Sequence, residues 1–203
     1  MGKPGRPKNQ TARREALVDA AGRAITERGL EGLRIKDIAA EAGMSAGSVL
    51  YYYPELDDLV LEVHRGAVAR FLTARHAVTD DVADPVARLR ALIASGLPSA
   101  PDDATHGLLY ELHGRADRSA GHAELMASLF ASEVGLYTTV LEVGAATGAF
   151  TLTASVHDLA SNLVALEDGY GLHIVSRNAA LTRTEAQRLI RGHARAVTGC
   201  AEL

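Results

Sequence analysis

Apolar residues recur along this chain at steps of three and four, the period of a helix face, and no stretch alternates at the step of two that a half-buried strand requires. Leu17, Ala20, Ala21, Ala24 and Ile25 mark one face of a first helix predicted over Thr11–Arg28, with Gly29 ending it. Two short helices follow, one over Ile35–Ala42 and one opening after Ser45, with Gly43-Met44-Ser45 as the turn between them. Ser45 is a suitable N-cap, and Pro54 stops the third helix because its ring disfavours helical geometry at Tyr53. A fourth helix begins at Glu55 and carries the stripe Leu56, Leu59, Val60, Val63, Ala67 and Phe71. Later helices are expected from Asp84-Pro85 to Gly96, over about Thr105–Ala116, Gly121–Val143 and Ser155–Val175, and after Thr182. Thr182 and Glu185 are spaced as a reciprocal capping box. The expected fold is therefore all-α with about nine helices. Residues 1–10, with Gly2, Pro4, Gly5 and Pro7, read as a flexible basic arm, residues 11–54 as a three-helix domain, and residues 55–203 as a larger helical body.

Two short helices joined by a tight turn, the second opening on small residues, form a helix-turn-helix, whose second helix lies in the major groove of double-stranded DNA. Here Ser45, Ala46, Gly47 and Ser48 allow close approach to base edges and phosphates. Val49 and Leu50 are expected to turn at least partly inward. Tyr51, Tyr52 and Tyr53 stand at successive steps of about 100° and cannot all be core. Tyr53 is expected inside, with Tyr51 and Tyr52 facing DNA. Arg34 and Lys36 are candidate phosphate contacts. In the arm, Arg6 and Lys8 belong to a Gly-Arg-Pro segment that suits either a minor-groove hook or a solvated tail.

Charge supports this polarity. Residues 1–53 hold nine Lys/Arg against six Asp/Glu, a net of +3, and the remainder holds twelve against nineteen, a net of −7. A basic head on an acidic body fits one end that meets nucleic acid and a body that avoids it. Hydrophobic residues make up 47% of the 203, enough for a substantial core, yet charged residues interrupt every long apolar stretch, so no membrane span is expected. With no apolar signal core and a single cysteine, Cys200, a cytoplasmic protein without a disulfide framework or multi-cysteine metal cluster is expected. An all-helical enzyme finds no support: no His-Glu-x-x-His, Walker loop or Gly-x-Ser-x-Gly is present, and His106 with His113 makes a poor metal pair. No cofactor is expected.

The run from Ile38 to Tyr53, Ile-Ala-Ala-Glu-Ala-Gly-Met-Ser-Ala-Gly-Ser-Val-Leu-Tyr-Tyr-Tyr, resembles the N-terminal domain of the tetracycline-repressor (TetR) family, and the likeness extends from about Leu17 to Val63. Met44 and Tyr53 replace the family's usual Val and Phe. Two further departures stand out. Leu56, beside Glu55, Asp57 and Asp58, occupies the place of a phosphate-binding lysine, and Arg34 that of a capping Ser or Thr. The departure at Leu56 leaves room for a dimeric module that has lost DNA binding. The resemblance implies a homodimeric transcriptional regulator, most often a repressor, that binds a palindromic operator and leaves it when a small molecule occupies the C-terminal domain. Two such heads would read half-sites about 34–36 Å apart, or at a related spacing.

The body is then expected to supply ligand binding and dimerisation. Leu159–Leu172 is similar to the penultimate helix of the family, where two subunits form a four-helix bundle. Leu159, Leu163, Leu166, Tyr170 and Ile174, with Leu189, Ile190, His193 and Val197 of the last helix, are the expected interface. Candidate pocket residues are Phe71, Tyr110, His113, Met126, Phe130, Tyr137 and Glu167, together with His76 and Leu109. Simple core packing is the alternative for each. Among these, His113 and Glu167 would be the most informative if buried, since burial demands a partner.

Overall fold

The computed structural model describes residues 6–203, with side chains described from residue 10 onward. Every regular element among them is a helix: α1 (Arg6–Arg28), α2 (Ile35–Glu41), α3 (Ala46–Tyr52), α4 (Leu56–Ala77), α5 (Pro85–Ser95), α6 (Ala104–His113), α7 (Ala120–Ala146), α8 (Val156–Val175) and α9 (Arg183–Thr198). No described helix is long and apolar enough to cross a membrane.

The first helix opens five residues earlier than its apolar stripe suggests, so half of the expected arm is helical. Pro7 falls in its first turn, where a missing N–H leaves no bond unmade. Asp84 caps α5 as expected, accepting from the Ala87 N–H at 2.7 Å with Pro85 beginning the helix. The capping box of α9 is only half formed. Thr182 Oγ1 accepts from the Glu185 N–H at 3.2 Å, but the Glu185 carboxylate turns forward to Arg188, a charged partner that outbids the backbone.

The chain divides into two compact units, and not at residue 54: the first runs to Val68 and adds Leu108–Leu125, and the second comprises Ala69–Gly107 and Met126–Leu203. Pro54 ends α3 without ending the unit, because the first turns of α4 bury Leu59, Val60 and Val63 within it.

In the first unit α1 packs on α2 and α2 on α3. Leu17, Ala20, Ala21, Ala24 and Ile25 are all buried, as their spacing predicts, along with Ile38, Ala39 and Val49. The Leu30 N–H donates to Glu111 Oε1 at 2.7 Å, tying the end of α1 to α6. His64 of α4 and His122 of α7, both fully enclosed, meet Nδ1 to Nδ1 at 2.8 Å with their rings stacked 4.9 Å apart.

The second unit has one apolar core. It takes Leu89, Leu92 and Ile93 from α5, Tyr137 and Leu141 from α7, Leu159, Leu163 and Ile174 from α8, and Ala186, Ile190 and Ala194 from α9. Full burial of each large side chain contributes about 1.5–3 kcal/mol. This corrects the expected dimer face. Leu159, Leu163, Ile174 and Ile190 lie inside their own subunit, so that ridge holds α8 to α9 and α5. Leu166, Tyr170, Leu189, His193 and Val197 are half-buried at its margins. α8 is apolar on more than one side, and its period alone does not say which side turns inward.

Candidate nucleic-acid interface and buried ion cluster

The turn between α2 and α3 is built by short-range geometry. Gly43 takes φ 62°, a left-handed conformation that costs glycine little. The Met44 N–H returns to the Ala39 carbonyl at 2.9 Å. Ser45 Oγ accepts from the Ser48 N–H at 3.1 Å and lies 2.9 Å from Ser48 Oγ, fixing the first turn of α3. Val49 points inward and is fully buried, while Leu50 does not follow it and is 43% exposed. Seven residues offer a helix barely two turns, and only one narrow face reaches the core.

The outward face of α3 carries the expected residues. Ser45, Ala46 and Gly47 are exposed, Ser48 and Tyr52 half-buried, and Tyr51 is 72% exposed, its ring edge-on to Tyr52 at 5.2 Å. Tyr53 is buried, as expected. Met44, Ser45, Gly47, Ser48, Tyr51 and Tyr52 line a surface depression of about 340 Å³ with Arg13. Neither Arg13 nor its neighbour Arg14 stands out from the sequence alone. Arg14 Nη2 donates to the Tyr52 carbonyl at 2.9 Å, and its guanidinium lies 4.8 Å from the Tyr53 ring centroid. It thus satisfies a carbonyl at the C-terminus of α3 and stacks on the buried aromatic. The adjacent arginine pair in an otherwise alanine-rich helix was the available signal.

Lys36 is exposed. Arg34 is also exposed, but its Nε lies 3.4 Å from Asp37 Oδ2, and its backbone N–H donates to the same oxygen at 3.1 Å. Asp37 therefore supplies the cap that Arg34 cannot. Burial pushes the Asp37 carboxyl up, but the Arg34 hydrogen bonds, helped by the charge of Arg28, hold it below the usual carboxylate range. Asp57, one of the acids beside Leu56, is paired with Arg115 rather than left bare. The side chains of Arg6 and Lys8 lie outside the described residues.

The expected pocket residues separate. Phe71, Tyr137 and Glu167 are buried in the second unit. Tyr110 and His113 belong to the first, with His113 exposed. Phe130 is exposed and Met126 half-buried, while His76 is exposed and Leu109 is a core residue. An α-helix turns side chains three or four apart to one side, but sequence spacing cannot say which of two helices' faces oppose each other.

Arg75, which the sequence alone does not single out, organises the buried members. Fully enclosed, its Nη1 donates to Glu167 Oε2 at 2.9 Å and to Glu133 Oε1 at 3.3 Å. The Tyr137 hydroxyl donates to the other Glu167 oxygen. The guanidinium also lies 5.3 Å from the Phe71 ring and 5.7 Å from the Tyr137 ring. Gly96 makes room for the cluster, since a Cβ there would come within 2.1 Å of Glu167 Cδ and 2.2 Å of Arg75 Nη1.

One guanidinium faces two carboxyls, and they differ. Burial raises both, and the charge of Arg75 opposes this in both. Glu167 has the closer contact with Arg75 and also accepts from the tyrosine hydroxyl, so its charged form is favoured more than that of Glu133. Glu133 is pushed up to about 8 and holds a proton at neutral pH. Arg75 continues the α4 stripe one turn beyond Phe71, and Glu133 lies one turn before Tyr137 on α7. Charges on two otherwise apolar stripes were the signal for this cluster.

A family model described as bacterial regulatory proteins, tetR family, matches residues 17–63, the three-helix segment and the start of α4. A second, described as the C-terminal domain of BetI-type transcriptional repressors, matches residues 85–199, more than half of the chain. The chain belongs to the tetR family of bacterial regulatory proteins.

Within the family, a transcriptional repressor of Mycobacterium tuberculosis, KstR2, is 26% identical over 100 residues, 49% of this chain and 50% of its own. The regulator BetI of Burkholderia thailandensis is 42% identical over 86 residues, 41% of this chain and 43% of its own. The chain thus aligns with about half the length of these curated relatives. Two crystal structures share the fold. A putative transcriptional regulator from Saccharomonospora viridis, in complex with choline, has a TM-score of 0.84 at 22% identity, covering 91% of this chain and 96% of its own. A TetR transcription regulator from Haloarcula marismortui has a TM-score of 0.83 at 24% identity, covering 93% and 99%.

Proposed function

We propose that this tetR-family chain is a ligand-responsive DNA-binding transcriptional regulator, a repressor that grips a palindromic operator as a homodimer and is released by a small molecule. The observation that carries the reading is the outward face of α3. Ser45, Gly47, Ser48, Tyr51 and Tyr52 border one depression with Arg13, and Ala46 is exposed beside them. Small residues at the start of the helix admit a phosphate or base edge, and Tyr51 offers a hydroxyl and a ring edge. Lys36 and Arg34 add phosphate contacts beside it, and Arg6 and Lys8 are further candidates for DNA contact.

The effector chamber is the neighbourhood of Phe71, Tyr137 and Glu167, with Arg75 and Glu133 as its further polar members. The S. viridis relative holds choline. In this chain the guanidinium of Arg75 already lies among the aromatic rings and carboxyls that would receive an external cation, so an effector must displace or rearrange that pairing.

The second subunit is received by the side of α8 opposite its core ridge. Asn162, Ala165, Gly169 and Leu172 lie exposed along it, with Leu166 and Tyr170 at the edge and Leu189, His193 and Val197 of α9 beside them. An effector acts only through its differential affinity for two states of the dimer, one holding the reading helices at operator spacing and one not. α4, whose residues belong to both units, is the covalent route for that change.

The test is selection of bound duplexes from random DNA, followed by titration of the winning sequence against salt. Wild-type protein should bind, and Lys36→Ala, which removes one phosphate contact from each of the two subunits, should reduce the slope of log K against log salt by about 1.8. Indifference to every duplex in dilute buffer would reject the reading.

A further inference from the structure

We propose that the second unit holds a separate small-molecule site for a carboxylate with a short apolar tail, where the loop after α5 meets the loop between α8 and α9. A cavity of about 370 Å³ lies there, within the usual range for organic ligands. Pro101, Ile174 and Leu181 give it apolar walls, and Arg177 and Arg183 give it two positive charges. None of these residues belongs to the Arg75 cluster or to the side of α8 assigned to the second subunit.

The two arginines are not used elsewhere as ions. Among the described residues neither has a carboxylate within 4.0 Å. Arg183 is anchored by one bond, Nη2 donating to the Ala94 carbonyl at 3.0 Å, while its Nε is shielded from solvent without an acceptor among the described residues. Arg177 sits just beyond α8 at φ 57°, its side chain exposed.

Of the acids near the lining in sequence, the exposed Asp102 forms no ion pair with either arginine, and Asp103 and Glu185 are committed elsewhere. Asp103 accepts from the Ser99 N–H and hydroxyl and from the His106 N–H, and Glu185 is forked onto Arg188. The neutral polar groups of the lining are occupied as well: Asn178 Oδ1 accepts from the Ala180 N–H and Thr182 Oγ1 from the Glu185 N–H. What remains is a pair of uncompensated guanidiniums over an apolar wall. A carboxylate answers the first, since it accepts paired N–H bonds from arginine, and an alkyl tail answers the second.

Octanoate is the probe, titrated into the full-length protein and followed by amide chemical shifts and calorimetry, with octan-1-ol and octyltrimethylammonium as tail-matched controls. Octanoate should saturate, with shifts confined to residues 99–101 and 174–183. Arg177→Met should weaken it by about tenfold, the loss expected for a charge-assisted hydrogen bond, and Arg177→Lys, which keeps the charge but not the paired N–H bonds, should bind between the two. Among the described residues Arg177 makes no side-chain bond, so its variant reports on binding even if Arg183→Met, which loses the Ala94 anchor, unfolds. The proposal is overturned if octanoate does not saturate, if either control binds as tightly, if the shifts lie elsewhere, or if Arg177→Met binds octanoate like the wild type. DNA binding enters none of these readouts, so this site and the operator reading stand or fall separately.

Discussion

A carboxyl group sealed beside an arginine that already serves another carboxylate must either keep an unmatched charge or hold a proton, and Glu133 is in that position. Its folded pKa, pushed from 4.5 up to about 8, means that the native state binds a proton which the unfolded chain releases. The associated stability is complete below pH 4.5 and lost as pH rises through 8. Glu133→Gln, a permanent copy of the protonated form, should flatten the alkaline limb of a melting-temperature profile and melt above wild type at pH 8 and beyond, as calorimetry across pH will show. His64 works in the opposite sense. Burial first, then the neighbouring His122 and His113, lower it from 6.5 to about 4, so its contribution is complete above pH 6.5 and lost as pH falls toward 4. Replacing His64 with Phe should reduce the acid loss of stability. If both variants retain the wild-type profile, neither group titrates as described. These residues were hard to read from the sequence because their partners lie far along the chain: Arg75 and Glu167 are 92 positions apart, and His64 and His122 are 58 apart. Nothing local distinguishes a histidine that stacks on another from one that faces water.

At the scale of single elements, legibility follows how local the determining contacts are. The α2–α3 unit was plain because its turn glycine, its cap and its buried valine fall within seven consecutive positions, from Gly43 to Val49. Ser45→Ala should cost about 1 kcal/mol of stability by removing the cap. Its effect on operator affinity should exceed what that loss predicts, because it loosens the helix proposed to enter the groove. Chemical denaturation and fluorescence anisotropy on one preparation will separate the two. An operator affinity unchanged at full stability would remove Ser45 from the interface. The inward face of α8 is not legible in the sequence for the converse reason. Its inward side is chosen by α5, α7 and α9, and the helix's own period leaves that choice open.

At the scale of the whole molecule, the proposed regulator pairs two heads, and that pairing rests on an α8 surface with small residues at Ala165 and Gly169. No neighbouring atom stands within 4 Å of a Cβ built at Gly169, and Leu172 is 50% exposed. Leu172→Glu should therefore leave the subunit folded, drive sedimentation toward the monomer and abolish tight binding to a palindromic duplex while leaving weak binding to half-sites. Persistence of the dimer would move the interface elsewhere.

The enclosed guanidinium of Arg75 also gives the protein an internal beacon. Hydrogen on an ordinary arginine exchanges with solvent too quickly to follow near neutral pH, whereas a side chain with no accessible surface and a carboxylate clamp should keep its proton long enough to yield a sharp, shifted nitrogen resonance. Any compound that pries the clamp apart would broaden or erase that line, so effector screening could proceed without a label, an operator or the identity of any controlled gene.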